Sequence, residues 1–317
     1  MSRRPPSRPF QRGPFLSLPS RPSPPHDYAE STPHELEMRS RPFGDVRVHY
    51  RTIGSGPPLL LIHGLMTSSY SWRYVLKPLA AHYTVYAPDL VGSGMSDTPT
   101  DRSYRSPAYA EWLVELVDAL GIRGAAAIGN SLGGYLAMRA VLRDPTVFSR
   151  LVNLHSPGIV EPRLRLLSLL LGIPGLQRGL AAYIRSRPQR FAHQNVHYFD
   201  ESRKSVEEAQ VYGAPLASAA GSLAFARILS EVLHPRDLAE GVQALRSAPF
   251  PIPLLLIYAT ADPMVPPRHG ETFHRLIAGS ELIWLEDSSH FPQVDCPERL
   301  LPPVLEFLSS AAARQPG

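Results

Sequence analysis

Eight short runs along the chain are apolar or alternate apolar with polar: residues 35–40, 46–52, 58–62, 83–87, 124–128, 150–154, 254–259 and 281–285. Each has the length of a β-strand, and several are unbroken apolar runs, as a strand covered on both faces requires. Longer amphipathic stretches lie between or after them at 69–81, 106–120, 132–143, 268–278 and 297–313. The alternation predicts an α/β fold: a mostly parallel eight-stranded sheet with helices on both faces. Gly44-Asp45, between the first two runs, predicts an antiparallel hairpin at the start of the sheet.

Between the sixth and seventh runs the alternation breaks for about ninety residues rich in Leu, Arg and aromatics. This stretch, 158–247, is expected to be a helical lid inserted into a core made of 34–157 and 248–313. Leu164 to Ile184 has the composition of a membrane helix at first sight. Arg165, Pro174, Gln177 and Arg178 cut its apolar part to about eleven residues, short of the roughly twenty that span a bilayer. The Leu-rich segment 164–176 is expected to line an apolar pocket.

Composition changes this picture at the ends only. At 44% hydrophobic and 19% charged residues, the 317-residue chain can bury a full core. The formal charge of +4 suggests an anionic partner until it is located: Arg3, Arg4, Arg8, Arg12 and Arg21, with no acidic residue through position 26, put +5 in the tail, leaving about −1 for the body. No basic face accompanies it, so no nucleic-acid partner is expected. Residues 1–33, rich in Pro and Arg, are expected to be a disordered tail. They hold no apolar run of signal-peptide length, no transmembrane segment is expected, and a single cysteine, Cys296, cannot form an internal disulfide, so a cytoplasmic location is expected.

Chemistry enters at Gly129-Asn130-Ser131-Leu132-Gly133-Gly134, which follows one apolar run and opens an amphipathic one. A serine on a tight strand-to-helix turn, with glycines letting chain segments pass closely, is left exposed as a nucleophile. His63-Gly64-Leu65 ends the run 58–62. Backbone N–H groups of Leu65 and Leu132 are the expected oxyanion hole, with His63 and Gly64 supporting the loop. The base should come late in the chain: His290, in Ser288-Ser289-His290-Phe291-Pro292, follows the last run. Asp262 ends the run 254–259 and is the expected partner for the imidazole, preferred over Asp287 on the same loop as His290. His193 and His197 have helical metal-ligand spacing but no acidic residue at zinc-site spacing, so they are expected to be solvated, and neither metal nor cofactor is expected. The loop Asp89 to Asp97 has glycines but lacks the third one of a dinucleotide site, and is expected to buttress the His63 turn.

His63-Gly64, the Asp89–Asp97 loop, the Ser131 elbow, Asp262 and His290 together resemble the α/β-hydrolase family over residues 34–313. The segment His63 to Arg73 is similar to that of epoxide hydrolases and haloalkane dehalogenases. The elbow resembles that of hydrolases that split carbon–carbon bonds, which differ in having a glycine-rich oxyanion loop. The resemblance implies a carboxylesterase-like serine hydrolase cleaving a small apolar ester through an acyl-enzyme. Alternatives with the same triad are a C–C bond hydrolase, a cofactor-free perhydrolase, or a small-molecule receptor without turnover. No lid tyrosine among Tyr183, Tyr198 and Tyr212 is expected to open epoxides, because Ser131 cannot run the aspartate route. Oligomeric state is left open.

Overall fold

The computed structural model describes residues 14–310, with backbone alone at Arg163, Leu164 and Pro174. All eight expected strands form: β1 (Thr32–Ser40), β2 (Gly44–Ile53), β3 (Pro58–Ile62), β4 (Thr84–Pro88), β5 (Ala125–Asn130), β6 (Phe148–Leu154), β7 (Leu254–Ala259) and β8 (Glu281–Leu285). They make one sheet in the order β1-β2-β4-β3-β5-β6-β7-β8. β1 and β2 form the expected hairpin, with Ser40 opposite Gly44, and β2 also pairs antiparallel with β4. The remaining pairs are parallel.

Helices α1 (Leu76–Ala80), α2 (Ser106–Ala119) and α3 (Leu132–Arg143) connect the earlier strands. The segment between β6 and β7 supplies α4 (Pro162–Leu171), α5 (Pro174–Ser186), α6 (Pro188–Asn195), α7 (Val206–Gly213), α8 (Ala219–Glu231) and α9 (Pro235–Ser247). α10 (Arg268–Leu276), α11 (Pro292–Asp295) and α12 (Pro297–Ser309) complete the fold. The expected helix 69–81 is instead a 3-10 turn at Ser69–Trp72 followed by α1, and the Asp89 carboxylate accepts the Ser69 N–H that opens the turn at 2.7 Å.

The sheet's continuous apolar runs follow from its two covered faces. Leu60 and Ile62 of β3 join Trp112, Leu116, Leu136 and Phe273 in one core, whereas Leu59 and Leu61 join Trp72, Leu79, Leu300 and Phe307 in the other. Alternate side chains of one strand thus fill both cores, so no polar face is needed.

The expected boundary at residue 33 shifts. Residues 1–13 lie outside the described residues, but 14–31 pack against the fold: Pro19 and Ser20 carbonyls accept from the Val206 and Glu207 N–H groups at 2.8 and 3.1 Å, and the Pro24 carbonyl accepts from the Tyr74 hydroxyl at 3.0 Å. Tyr28 bonds Ser69 through their hydroxyls at 2.8 Å, and the His26 ring lies 2.9 Å from the Tyr70 hydroxyl. This strap ties the loop after β3 to α7 of the insertion.

Candidate active site

Ser131 stands at the join of β5 and α3 with φ 53° and ψ −119°, a backbone conformation that disfavours a residue with a Cβ and costs on the order of 1–3 kcal/mol. The neighbouring chain holds it there. Its N–H donates to the Leu154 carbonyl at 2.7 Å, and its own carbonyl accepts from Tyr135 N–H and the Ser156 hydroxyl, both at 3.1 Å. The flanking glycines are a packing requirement: a Cβ on Gly133 would lie 2.1 Å from the Ile62 carbonyl oxygen, and one on Gly129 would lie 2.5 Å from Gly134.

Beyond β3, the His63 ring accepts the Leu90 N–H at Nε2, 2.9 Å, so its Nδ1 carries the proton and donates to the Gly64 carbonyl at 2.8 Å. Burial holds the imidazole below its ordinary pKa, against a smaller opposing effect of Asp89, and keeps it neutral. The Thr67 hydroxyl donates to the same carbonyl at 3.0 Å. Gly64 runs so close to the elbow that a Cβ there would lie 3.1 Å from that of Ser131. No acceptor among the described residues meets the N–H of Leu65 or of Leu132. Asp89 organises the supporting loop by accepting from Ser69 and Met95 N–H groups and from His49 Nδ1, at 2.7, 2.9 and 3.0 Å.

Asp262 and His290, twenty-eight residues apart, meet at 2.7 Å between Oδ2 and Nδ1. The other carboxylate oxygen accepts the N–H groups of Met264 and Val265 at 2.7 and 3.0 Å. A third side chain, not anticipated from sequence, completes the cluster: His155, directly after β6, places Nδ1 2.9 Å from the same Oδ2. The Ala259 N–H donates to its Nε2 at 3.0 Å, so Nδ1 must carry the proton. Burial pushes the Asp262 carboxyl up, but the His290 charge and the hydrogen bonds from His155 and His290 outweigh it and hold the group well below the usual carboxylate range. Burial lowers the pKa of His155 more than Asp262 raises it, so that ring stays neutral. Three residues of metal-ligating types, His155, Asp262 and His290, therefore share one place. The 2.7 and 2.9 Å separations are those of proton-bearing contacts, and His155 Nε2 is already occupied.

Asn130, beside the nucleophile position, donates from Nδ2 to the His290 carbonyl at 3.0 Å and so ties the histidine loop to the elbow. On the far side of that loop, Asp295 accepts from the Ser289 N–H at 2.8 Å and its hydroxyl at 2.6 Å, and from the Phe199 N–H of the insertion at 2.8 Å. Burial raises its carboxyl to about 6 despite these bonds. Asp287, the rejected alternative to Asp262, is exposed at φ 46° and its carbonyl accepts from Arg299.

Ser131, Leu65, Leu132 and His290 line one cavity of about 590 Å³, with Asp262 behind the imidazole. Its walls are mostly apolar, with Leu229, Val232, Leu233, Met264 and Val265 among them. Glu161 and His269 form a polar end, paired at 2.8 Å, with Arg268 on the Glu161 carboxylate at 2.6 and 2.7 Å. Of the Leu-rich segment 164–176, only Leu167 lines this cavity; Leu164 and Pro174 lie outside the described side chains, and Leu166, Leu169, Leu170, Ile173 and Leu176 are exposed. Helix spacing alone gives a face and not its direction. His193 is buried and His197 lines the cavity, so neither is the solvated residue expected, and α6 ends at Asn195, between them. Tyr183, Tyr198 and Tyr212 are all absent from the lining.

The pattern of the alpha/beta hydrolase fold family matches residues 57–297. The chain belongs to the α/β-hydrolase fold family. This α/β-hydrolase is 33% identical to an uncharacterised protein of Mycobacterium tuberculosis over 82% of its own length and 78% of that protein's. It is 28% identical to the 2-hydroxymuconate semialdehyde hydrolase of Pseudomonas sp. (strain CF600), over 84% of this chain and 92% of that one. Among solved structures, the epoxide hydrolase CorEH superposes with a TM-score of 0.73 at 22% identity, covering 87% of this hydrolase and 98% of that chain, a likeness of fold.

Proposed function

We propose that the protein is a serine hydrolase that cleaves small apolar carboxylic esters through an acyl-enzyme, with Ser131, His290 and Asp262 as its triad. The observation that carries this reading is that Ser131 and His290 line one mostly apolar cavity, with the Asp262 carboxylate held on the far side of the imidazole.

With Nδ1–H donated to Asp262, His290 Nε2 is left as an acceptor. It takes the Ser131 proton as Oγ attacks the ester carbonyl. The oxyanion meets the N–H groups of Leu65 and Leu132, the latter at the N-terminus of α3, where the helix dipole also favours negative charge. His290 returns the proton to the departing alcohol, then activates water to release the acid. No metal or cofactor enters these steps. The dehalogenase and epoxide routes need a carboxylate nucleophile whose ester water can attack at carbonyl; alkylated Ser131 would be an ether and would stop after one turnover.

A panel of p-nitrophenyl esters of increasing acyl length tests the reading. Turnover that disappears in Ser131→Ala supports it, and inactivity of the folded wild-type protein on every ester overturns it. The similarity to 2-hydroxymuconate semialdehyde hydrolase favours one second reading, C–C bond hydrolysis by the same groups. Turnover of that semialdehyde with none of the esters would select it.

A further inference from the structure

The insertion carries an apolar outer face that the ester-hydrolase reading does not use. α4 is apolar on two sides. Leu167 lines the cavity and Leu171 is buried, whereas Leu166, Leu169, Leu170 and Ile173, at i, i+3, i+4 and i+7, are 59%, 73%, 45% and 52% exposed. On the next helix Leu176 and Tyr183 are about half exposed. A helix packed on a globular core ordinarily turns polar residues to water, so a second leucine stripe needs a partner.

Charge narrows what that partner is. Residues 162–199 contain six arginines, at 163, 165, 178, 185, 187 and 190, and no Asp or Glu, although the chain holds 28 acidic residues. The abundance of Arg throughout the chain accounts for arginine in place of lysine, but not for the missing acids. Arg165, Arg178, Arg185, Arg187 and Arg190 are all exposed. A second copy docking face to face through a twofold axis would set these like charges against each other. An anionic lipid surface would satisfy both features, taking leucines into the acyl boundary and arginines to the phosphates. No single helix among the described residues is long and apolar enough to cross a membrane, and Arg165–Leu171 meets Gly175–Ser186 at a 93° bend, which suits lying in the interface.

We propose that the outer face of α4 and α5 docks on the surface of an anionic phospholipid bilayer. Leu167, on the inner side of the same helix, then stands between that surface and the cavity. An apolar substrate dissolved in the bilayer would reach Ser131 through this wall. Delivery rests on the proposed ester hydrolysis; docking does not, and its test reads binding alone.

Full-length protein is sedimented with vesicles of phosphatidylcholine, with and without about 30% phosphatidylglycerol. The wild type and Ser131→Ala should bind the anionic vesicles equally, at least tenfold better than the neutral ones, and lose most binding at about 0.5 M salt. The exposed pair L169E/I173E should bind at least tenfold more weakly with an unchanged melting point and unchanged turnover of a short water-soluble ester. Failure of the wild type to bind anionic vesicles, or equal binding by L169E/I173E, overturns the proposal. So does a concentration-dependent wild-type dimer that L169E/I173E abolishes without any vesicle binding, which would make the stripe a contact between copies.

Discussion

Changing Asp262 to Asn tests the hydrogen-bond logic of the site more sharply than removing the side chain, because the shape is kept and only the pattern of donors changes. The carboxylate faces four N–H groups, those of His290 and His155 on one oxygen and those of Met264 and Val265 on the other. An amide can accept on one side only. With its oxygen toward the histidines, its NH2 opposes two fixed backbone donors. Turned the other way, it opposes the rings. His290 can relieve that contact by moving its proton to Nε2, and only His155 remains in conflict, since its Nε2 is pinned by the Ala259 N–H. The second orientation leaves one conflict instead of two and should prevail.

The cost to stability is then about 1–3 kcal/mol for one orphaned buried donor, a melting point lower by roughly 2–8 °C. The cost to catalysis is far larger. His290 protonated at Nε2 cannot receive the Ser131 proton, and a wrong tautomer of this kind lowers kcat by about 10⁴. Thermal melts and p-nitrophenyl ester turnover on the same preparations read the two effects separately. An Asp262→Asn protein that melts within this range yet keeps kcat within about tenfold of wild type would refute the reasoning.

Other substitutions probe single parts. His155→Ala should orphan the Ala259 N–H and remove one of the donors to Asp262, lowering the melting point and cutting kcat by about ten- to a hundredfold through a less firmly held His290; an unchanged kcat in a destabilised protein would make His155 purely structural. Gly133→Ala puts a Cβ 2.1 Å from the Ile62 carbonyl oxygen and should push the His63 turn away from the elbow, costing about 1–3 kcal/mol and a larger loss in kcat than in KM; turnover at the wild-type rate would contradict it. Asp295 is a carboxyl whose folded-state pKa, about 6, lies above its unfolded value of 3.8, so the folded protein holds the extra proton between them. Stability from this group is therefore greatest below that window and falls as pH rises through it, by up to about 3 kcal/mol. The melting-point difference between wild type and Asp295→Asn should change across pH 4 to 7 in favour of the wild type at the acid end; a flat difference would refute the assignment.

What the chain revealed in advance, and what it withheld, have separate physical origins. β3 and β5 were legible because a strand covered on both faces must be apolar throughout, and the elbow because only glycine tolerates the approaches at Gly129 and Gly133. Asp262 and His290 were legible from their places just beyond strands. His155 has the same kind of place, after β6, and the polar residue closing that apolar run was the available signal; what hid it was that its partner is an oxygen already assigned to another histidine. The strap at 14–31 was hidden because much of its attachment runs through backbone carbonyls at Pro19, Ser20 and Pro24, which no side-chain pattern records. The outward leucines of α4 were misread for a related reason: spacing fixes which residues share a face, but only the packing of α4 against α8 and the cavity fixes which face is inside.

The proposed ester hydrolysis stands or falls with Ser131 as an activated nucleophile. Incubation of the folded protein with a fluorophosphonate, followed by peptide mass spectrometry, tests it directly. A single phosphonyl adduct is expected on the peptide that carries residue 131, formed rapidly in the wild type and slowed at least a hundredfold in His290→Ala. A folded protein that acquires no adduct, or one labelled at another residue, would contradict it.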